Sequence, residues 1–494
     1  MQIAHMGISA LYLTFVLSTA NAEEEPETSQ SGELLVGWAS RDITPSKPVA
    51  LAGQFHVRIS KYVNDPITAT ALAIESAGEN GANEQAIMVS CDLISMEQHI
   101  QSRLQDMVKP KLPDFDTSKL TINGTHTHTA PVMRVGHYPD QGEEVMTPVE
   151  YVDFLLNLLS EAVVEAWKSR KPGGVSWAMG HAVVGHNRRA VYFDGSAKMY
   201  GSTNVAEFDC IEGYQDHSLN LLFFWNQEQE LTGIVVNVAC PSQVTEGEYY
   251  VSSDFWHEVR CELRKRYSDS LFVMQQCSAA GDQSPHFLLF KEAEENMRSK
   301  KGVSEREEIA IRIANAVDYV FEVAKSSIKM DAPLKHVVED IDLPARKMTE
   351  KELEIAKSEC ERLMAKQPLD KNSTDFMILS RNRRLIDRYE QQDKASFYQM
   401  ELHVIRLGDI AIATNPFEMY LDYGIRMKAR SKALQTFVVQ LASGSGGYLP
   451  TAKAVAGGGY SAEISSNRVG PEGGQVLVDR TVELINKMWD NEGG

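Results

Sequence analysis

Apolar positions recur along this chain in two rhythms. Short runs such as Ala86-Ile87-Met88-Val89-Ser90 have the length of buried strands. Other segments repeat their apolar residues every three or four positions, as one face of a helix does. The clearest helix opens at Thr147-Pro148-Val149-Glu150, a capping box with proline in its first turn. Its stripe is Val152, Leu155, Leu159, Ala162, Val163 and Ala166. A helical pattern follows Ser90, and Lys119 to Asn123 reads as a strand. Ile234 to Cys240 and Leu271 to Gln275 read as apolar strands, with a helix near Asp254 to Arg266 between them.

Further on, Thr349-Glu350-Lys351-Glu352 is a second capping box, and a highly charged helix is predicted near Thr374 to Gln392. The pair reads as a solvated helical insertion, about 349–395. Its run Arg381-Asn382-Arg383-Arg384 is then a solvated helix face. The strand rhythm returns over Glu401 to Leu407, turns at Gly408-Asp409 and continues through Ile410 to Thr414. Strands and helices alternate without a linker or repeat, which predicts one α/β domain over 34–490, with mixed β-sheets flanked by helices.

The first segment reads as an address. Ile8 to Ser18 is apolar over 11 residues, too short to span a bilayer. Ala20-Asn21-Ala22 supplies a small-residue cleavage pattern before Glu23-Glu24-Glu25. Residues 1–22 are therefore expected to be an export signal, for a periplasmic or extracellular protein, and 23–33 a loose acidic leader. No later stretch has 18 consecutive apolar residues, so no transmembrane span is expected. With 49 Lys+Arg against 68 Asp+Glu the chain carries −19. That balance excludes a nucleic-acid partner, which needs a basic surface. It also disfavours docking on anionic lipid by charge alone. The six cysteines contain no C-x-x-C pair, and no disulfide pairing is predicted.

Chemistry concentrates in Thr121-Ile122-Asn123-Gly124-Thr125-His126-Thr127-His128-Thr129-Ala130-Pro131. In extended backbone residues i and i+2 point the same way. His126 and His128 would then face one site, either as a metal ligand with a neighbouring proton carrier or as two solvated loop histidines. Asp282 and Ser284 occupy a tight glycine-containing loop, where they either line a site or serve turn chemistry. His257 and His286 are read as ligands or surface residues, and Asp92, after Cys91, as a structural carboxylate. There is no G-x-S-x-G elbow, no H-E-x-x-H at His257-Glu258, no phosphate-binding loop and no dinucleotide fingerprint.

The segment Gly124 to Pro131 resembles the T-H-T-H-S-G-P signature of the neutral/alkaline (non-lysosomal) ceramidases. The resemblance continues in order: Val36-Gly37 to Asp42-Ile43-Thr44, Asn187-Arg188, Asp216 to Phe223, Ala280 to Pro285, Asn415-Pro416-Phe417-Glu418 and Gly447 to Thr451. It covers about 35–490, the family's catalytic domain, without a counterpart to the family's immunoglobulin-like C-terminal domain. The resemblance implies one Zn2+, held by His126, Glu418 and Tyr448. It implies His128 as proton carrier, zinc, a tyrosine hydroxyl or Arg188 at the oxyanion, and an active-site tyrosine near Tyr460; Ser284 is counted with these catalytic candidates.

One segment departs from the pattern. Where the family carries a further zinc histidine, this chain reads Ala239-Cys240-Pro241-Ser242-Gln243. Cys240 is either a thiolate ligand in place of that imidazole or a buried inert thiol. The expected activity is hydrolysis of an N-acyl amide bond, with ceramide the substrate implied by resemblance. The alternatives are another small-molecule or lipid substrate on the same scaffold (a glycan, small amide or ester), or a binding protein that kept the fold. Oligomeric state is not legible in the sequence.

Overall fold

Three walls of β-strand face one another around a shared apolar core. The structure is a computed structural model that describes residues 33–77, 83–366 and 368–490. The expected export signal, 1–22, and nearly all of the acidic leader lie outside the described residues. The first wall comprises β1 (Leu35–Asp42), β2 (Thr68–Ala77), β3 (Asn83–Cys91) and β4 (Leu120–Gly124); helices α1 (Gln98–Val108) and α2 (Pro148–Lys168) cover its outer face. The second comprises β5 (Lys171–His181), β6 (Ser218–Asn226), β7 (Leu231–Val238) and β8 (Phe272–Cys277), covered by α3 (Phe255–Arg266) and α4 (Glu305–Lys325).

These two walls are one eight-stranded sheet, ordered β8-β7-β6-β5-β1-β2-β3-β4. Only two residue pairs, Leu35 with Pro172 and Val36 with Lys171, join β1 to β5. Across that short seam the sheet bends, so its halves face each other. The third wall is a separate sheet of β9 (Leu334–Pro344), β10 (Phe397–Leu407), β11 (Ile410–Thr414) and β12 (Gln435–Val439). The α5 (Glu350–Met364) and α6 (Thr374–Gln391) hairpin leaves between β9 and β10. Helices α7 (Leu421–Arg430) and α8 (Pro471–Lys487) cover the third wall's outer face.

The strands read as continuous apolar runs because both of their faces are buried. In β6, Leu219, Leu221, Phe223 and Trp225 point to the helices, whereas Leu222 and Phe224 point to the central core. That core takes Trp38 and Met88 from the first wall, Phe224 and Met274 from the second, and Leu407 and Phe437 from the third. Trp38 stacks on Phe272 at 5.6 Å and meets Phe224 edge-on at 5.5 Å between ring centroids. Buried polar groups tie the walls: Gln275 donates to Asp92 at 2.8 Å, and Asn237 donates to the carbonyl of Val438 at 2.9 Å. Asp92 also pairs with Arg260 at 3.0 Å, the structural place its sequence context suggested.

The predicted elements are present, with shifted ends. The full stripe of α2 is buried, and its capping box is made by Thr147 and Glu150 in both directions. The run to Cys240 leaves the sheet after Val238, and its neighbour extends to Cys277. The helical insertion exists but is not a solvated appendage. Met377, Leu379 and Leu385 of α6 are buried, and Met377 packs with Ala52, Val132 and Tyr138.

Two predictions follow from this packing. A Cβ on Gly233 of β7 would lie 2.5 Å from the Trp38 indole. Gly233→Ala is therefore expected to destabilise the protein by about 1–3 kcal/mol, read from the denaturant midpoint; an unchanged midpoint would mean that the walls are not in contact there. The second concerns pH. Burial, then the charge of nearby His217, lowers the buried His186 to about 4. An unfolded histidine titrates near 6.5, so below that value the unfolded chain binds more protons and stability falls with pH. This contribution is complete above about pH 6.5 and is lost as pH falls towards 4. Between pH 7 and 5 His186 is expected to account for up to about 2 kcal/mol of lost stability. His186→Gln should lose correspondingly less over that interval in urea titrations.

Candidate functional site

All three walls contain a parallel strand pair, β3/β4, β7/β8 and β11/β12. The loops leaving these pairs at their C-terminal ends meet, the place where α/β folds gather ligands. From β4 comes Thr125 to Pro131, from β7 comes Ala239 to Gln243, and from β11 comes Glu418. The short strands Phe417–Met419 and Gly447–Leu449 pair in parallel with Glu418 beside Tyr448. That register places the carboxylate and the phenol side by side.

His126 Nε2 lies 3.2 Å from Glu418 Oε2 and 3.4 Å from His128 Nε2. The histidines converge, but not through extended backbone. His126 has φ +68°, a conformation that costs a non-glycine residue about 1–3 kcal/mol and tends to persist at functional sites. Its Nδ1 is 2.8 Å from the carbonyl of Ile94. A carbonyl can only accept, so Nδ1 carries a proton. Nε2 is thereby left either to bind a cation through its lone pair or, in the protonated ring, to donate to the Glu418 carboxylate.

Burial alone would raise the Glu418 carboxyl; His126, the Arg188 charge and the Tyr448 hydroxyl outweigh it and hold it below the usual range. Burial, then Glu418, pushes the Tyr448 phenol well up. Arg188 is buried beneath the cluster. It donates to Tyr448 at 3.3 Å, Gln243 Oε1 at 2.9 Å, the carbonyl of Gly281 at 3.0 Å and the Tyr200 hydroxyl at 3.1 Å. Against the cost of burial, these tyrosines and Glu418 keep the guanidinium charged.

Gln243 bridges the site. Its Nε2 donates to His128 Nε2 at 2.8 Å while its Oε1 accepts from Arg188. His128 is thereby fixed as the tautomer protonated at Nδ1, which lies 3.5 Å from Glu246. Burial, then His126 and Arg58, holds His128 well below the usual histidine range, hence neutral. Gly53, at φ +93°, backs the ring: a Cβ there would lie 2.3 Å from it. Tyr460 packs edge-on against Tyr448 at 5.6 Å and lines a cavity of about 520 Å³ together with His126, His128, Glu418 and Tyr448.

Other candidates are not brought into this group. Cys240 does not line the cavity. Its sulfur lies 3.4 Å from the carbonyl of Pro241 and 3.8 Å from that of Val184, and burial raises the thiol well above its ordinary range. It sits as a packed thiol, because the chain turns at Pro241 and delivers Gln243 to the site instead. Ser284 is two hydrogen bonds away, its Oγ 3.0 Å from the Tyr200 hydroxyl that Arg188 contacts. Asp282 fastens loops: it accepts from Asn187 at 2.9 Å and from the backbone of Leu421 at 2.8 Å. His257 lies beside Cys261 on α3, and His286 faces Glu246 and Glu305 at 3.7 and 3.9 Å. Arg381 is a correction to the expected solvated face: it lines the cavity, with its guanidinium over Phe55 and Tyr460 at 5.4 and 5.8 Å.

Among the described residues no group of three His, Cys, Asp or Glu side chains is arranged to hold a metal. The donor set here is one imidazole, one carboxylate and one phenol. Donors about 2.0–2.1 Å from a tetrahedral zinc lie about 3.3 Å apart, close to the spacing of His126 and Glu418. The Nδ1 contact to a backbone carbonyl is the outer-shell bond that metal-binding histidines usually make. These residues fit a zinc ion.

No family model and no curated protein matches the sequence. The fold does have solved counterparts. One is a neutral ceramidase from Pseudomonas aeruginosa, 15% identical, with a TM-score of 0.68 over 93% of this chain and 75% of that one. Another is a ceramidase complexed with C2, 14% identical, with a TM-score of 0.67 over 93% and 76%. The chain thus has the mixed α/β fold of the neutral ceramidases.

Proposed function

We propose that this chain is an exported, zinc-dependent hydrolase of N-acyl amide bonds. The observation that carries the reading is the convergence of His126 Nε2, Glu418 and the Tyr448 hydroxyl at a 520 Å³ cavity, with Nε2 turned to the carboxylate because Nδ1 is bound to a backbone carbonyl. His126, Glu418 and Tyr448 would hold the ion. A zinc there supplies a Lewis acid and brings the pKa of bound water to about 7. Ceramide is the member of this substrate class that the fold suggests, since the fold is shared with a neutral ceramidase.

The chain's own groups supply the rest. His128, neutral and held at Nε2 by Gln243, can take a proton there once Gln243 shifts, and return it to a leaving amine. Arg188 is a buried, fixed positive charge whose Nη2 lies 3.3 Å from the Tyr448 hydroxyl. Through that hydroxyl it favours negative charge developing on a carbonyl oxygen. Tyr460 and Phe55, packed edge-on at 5.4 Å, form an aromatic side of the cavity against which an acyl chain can lie. Export rests on the apolar run ending at Ala20-Asn21-Ala22, and N-terminal sequencing of the exported protein should begin near Glu23.

His126→Ala and Glu418→Gln are each expected to remove bound zinc and to lower amide hydrolysis by more than about a hundredfold, the upper range for losing only an outer-shell partner. Chelation should abolish activity, and added zinc restore it; full activity in a metal-free preparation would refute the reading. Cys240→Ala is expected to keep its zinc and its rate, at a stability cost of about 1 kcal/mol. Loss of zinc from that variant under mild chelation would return Cys240 to the ligand set.

A further inference from the structure

The cavity is basic although the chain is acidic. Helix α6 carries Arg381, Arg384 and Arg388 at spacings of three and four, so they share one face, and that face lines the cavity. Arg134 and Arg468 join them from other elements. The cavity has two carboxylates, Glu97 and Glu418. Both are engaged, Glu97 with Arg134 at 2.6 Å and Glu418 with His126 at 3.2 Å.

The arginines differ in what they are free to do. Arg388 donates to the backbone carbonyls of Arg346, Ile464 and Asn467, so it latches a loop. Arg381 reaches Ser466 at 3.2 Å and stands 3.9 Å from Glu463. Arg384 and Arg468 have neither a carboxylate within ion-pair distance nor a side-chain hydrogen bond among the described residues. Arg384 is exposed to the cavity; partial desolvation, then the charge of Arg134, lowers its pKa, and an anion beside it would offset the repulsion. A second cavity of about 350 Å³ shares Arg384 and Arg388 with the first. Its other charges are Arg346, paired with Glu352 at 3.3 Å, Lys347, paired with Asp393 at 2.9 Å, and Asp387. The basic wall therefore continues outward from the cluster.

Like charges set side by side on one helix face repel, and an uncharged amide such as ceramide offers them no compensation. We propose that the substrate of this site carries an oxyanion, a carboxylate or a sulfur or phosphorus oxyanion, that is seated between Arg384 and Arg468. This rests on the hydrolase reading above and narrows its substrate class to charged amides, which sets ceramide itself aside. Arginine suits the task because its fork of donors matches two oxygens at once.

The test uses the full zinc-loaded chain and three matched amides: N-octanoylglycine, N-octanoyltaurine and the uncharged N-octanoylethanolamine. At least one of the two anions should show a kcat/KM tenfold or more above that of the neutral amide. Which anion leads separates a planar carboxylate from a tetrahedral oxyanion. That preference should shrink at least threefold in Arg384→Gln/Arg468→Gln, two exposed positions whose change leaves packing intact, and should shrink in wild type as NaCl rises from 50 to 300 mM. Equal cleavage of all three amides overturns the inference and leaves the hydrolase reading standing. Tighter calorimetric binding of an anionic amide, without cleavage of any amide, sustains the inference and refutes hydrolysis. Binding of none of the three, or a preference unchanged in the double variant, also overturns it.

Discussion

An imidazole nitrogen and a carboxylate oxygen held 3.2 Å apart in a buried pocket form the constraint on which the rest of the structure depends. The ring is oriented by the bond of its Nδ1 to the Ile94 carbonyl, so Nε2 is turned to Glu418 and His128. The fold answers with positive charge: Arg188 lies buried beneath, held by two tyrosines, Gln243 and a backbone carbonyl. Removing one member of such a set costs more than the set contributes on balance, since the remaining charges lose their partners. The left-handed backbone at His126 belongs to the same account. It is tolerated because Thr125, His126 and Ser242 are each tied by backbone hydrogen bonds to a neighbouring loop.

The three-walled arrangement explains how residues nearly 300 positions apart come to share a pocket. Each wall contributes one parallel pair, and a parallel pair sends its chain out at a defined end. Bending the large sheet at its two-residue seam turns the ends of β4 and β7 towards the end of β11. The helices outside the walls bury the outer faces of the strands, and the strands convert that burial into position. Trp38 against Gly233 shows how close the approach is: the second wall gives up a side chain so that the first can insert one.

Much of this was legible in the sequence where periodicity carries it. The stripe of α2 and its capping box were readable because a helix face and its first turn are local properties. The pairing of His126 with His128 was anticipated from the wrong geometry, since alternation in a strand was invoked and a left-handed turn does the work. Gln243 was missed because an amide has no signature of its own; its neighbour Cys240 drew attention as the more obvious metal donor. The arginines of α6 were read as solvated because charge on a helix usually is. Their spacing already placed them on one face, but nothing local could say that this face lines a cavity. Such placement depends on what lies opposite, and a single sequence carries little of that information.

The α5–α6 hairpin has a property of its own as an architectural unit. It leaves the third wall after Pro344 and returns at Phe397, and those two residues are register partners on adjacent strands. The excursion therefore departs from and re-enters the sheet at one place, so its length and content are not bound by the strands that flank it. The cluster around His126 is fixed by the three walls, whereas the arginine face belongs to the excursion. A scaffold divided in this way can diversify what it admits without disturbing what it does once the molecule is inside, because the two properties are written in separable stretches of chain.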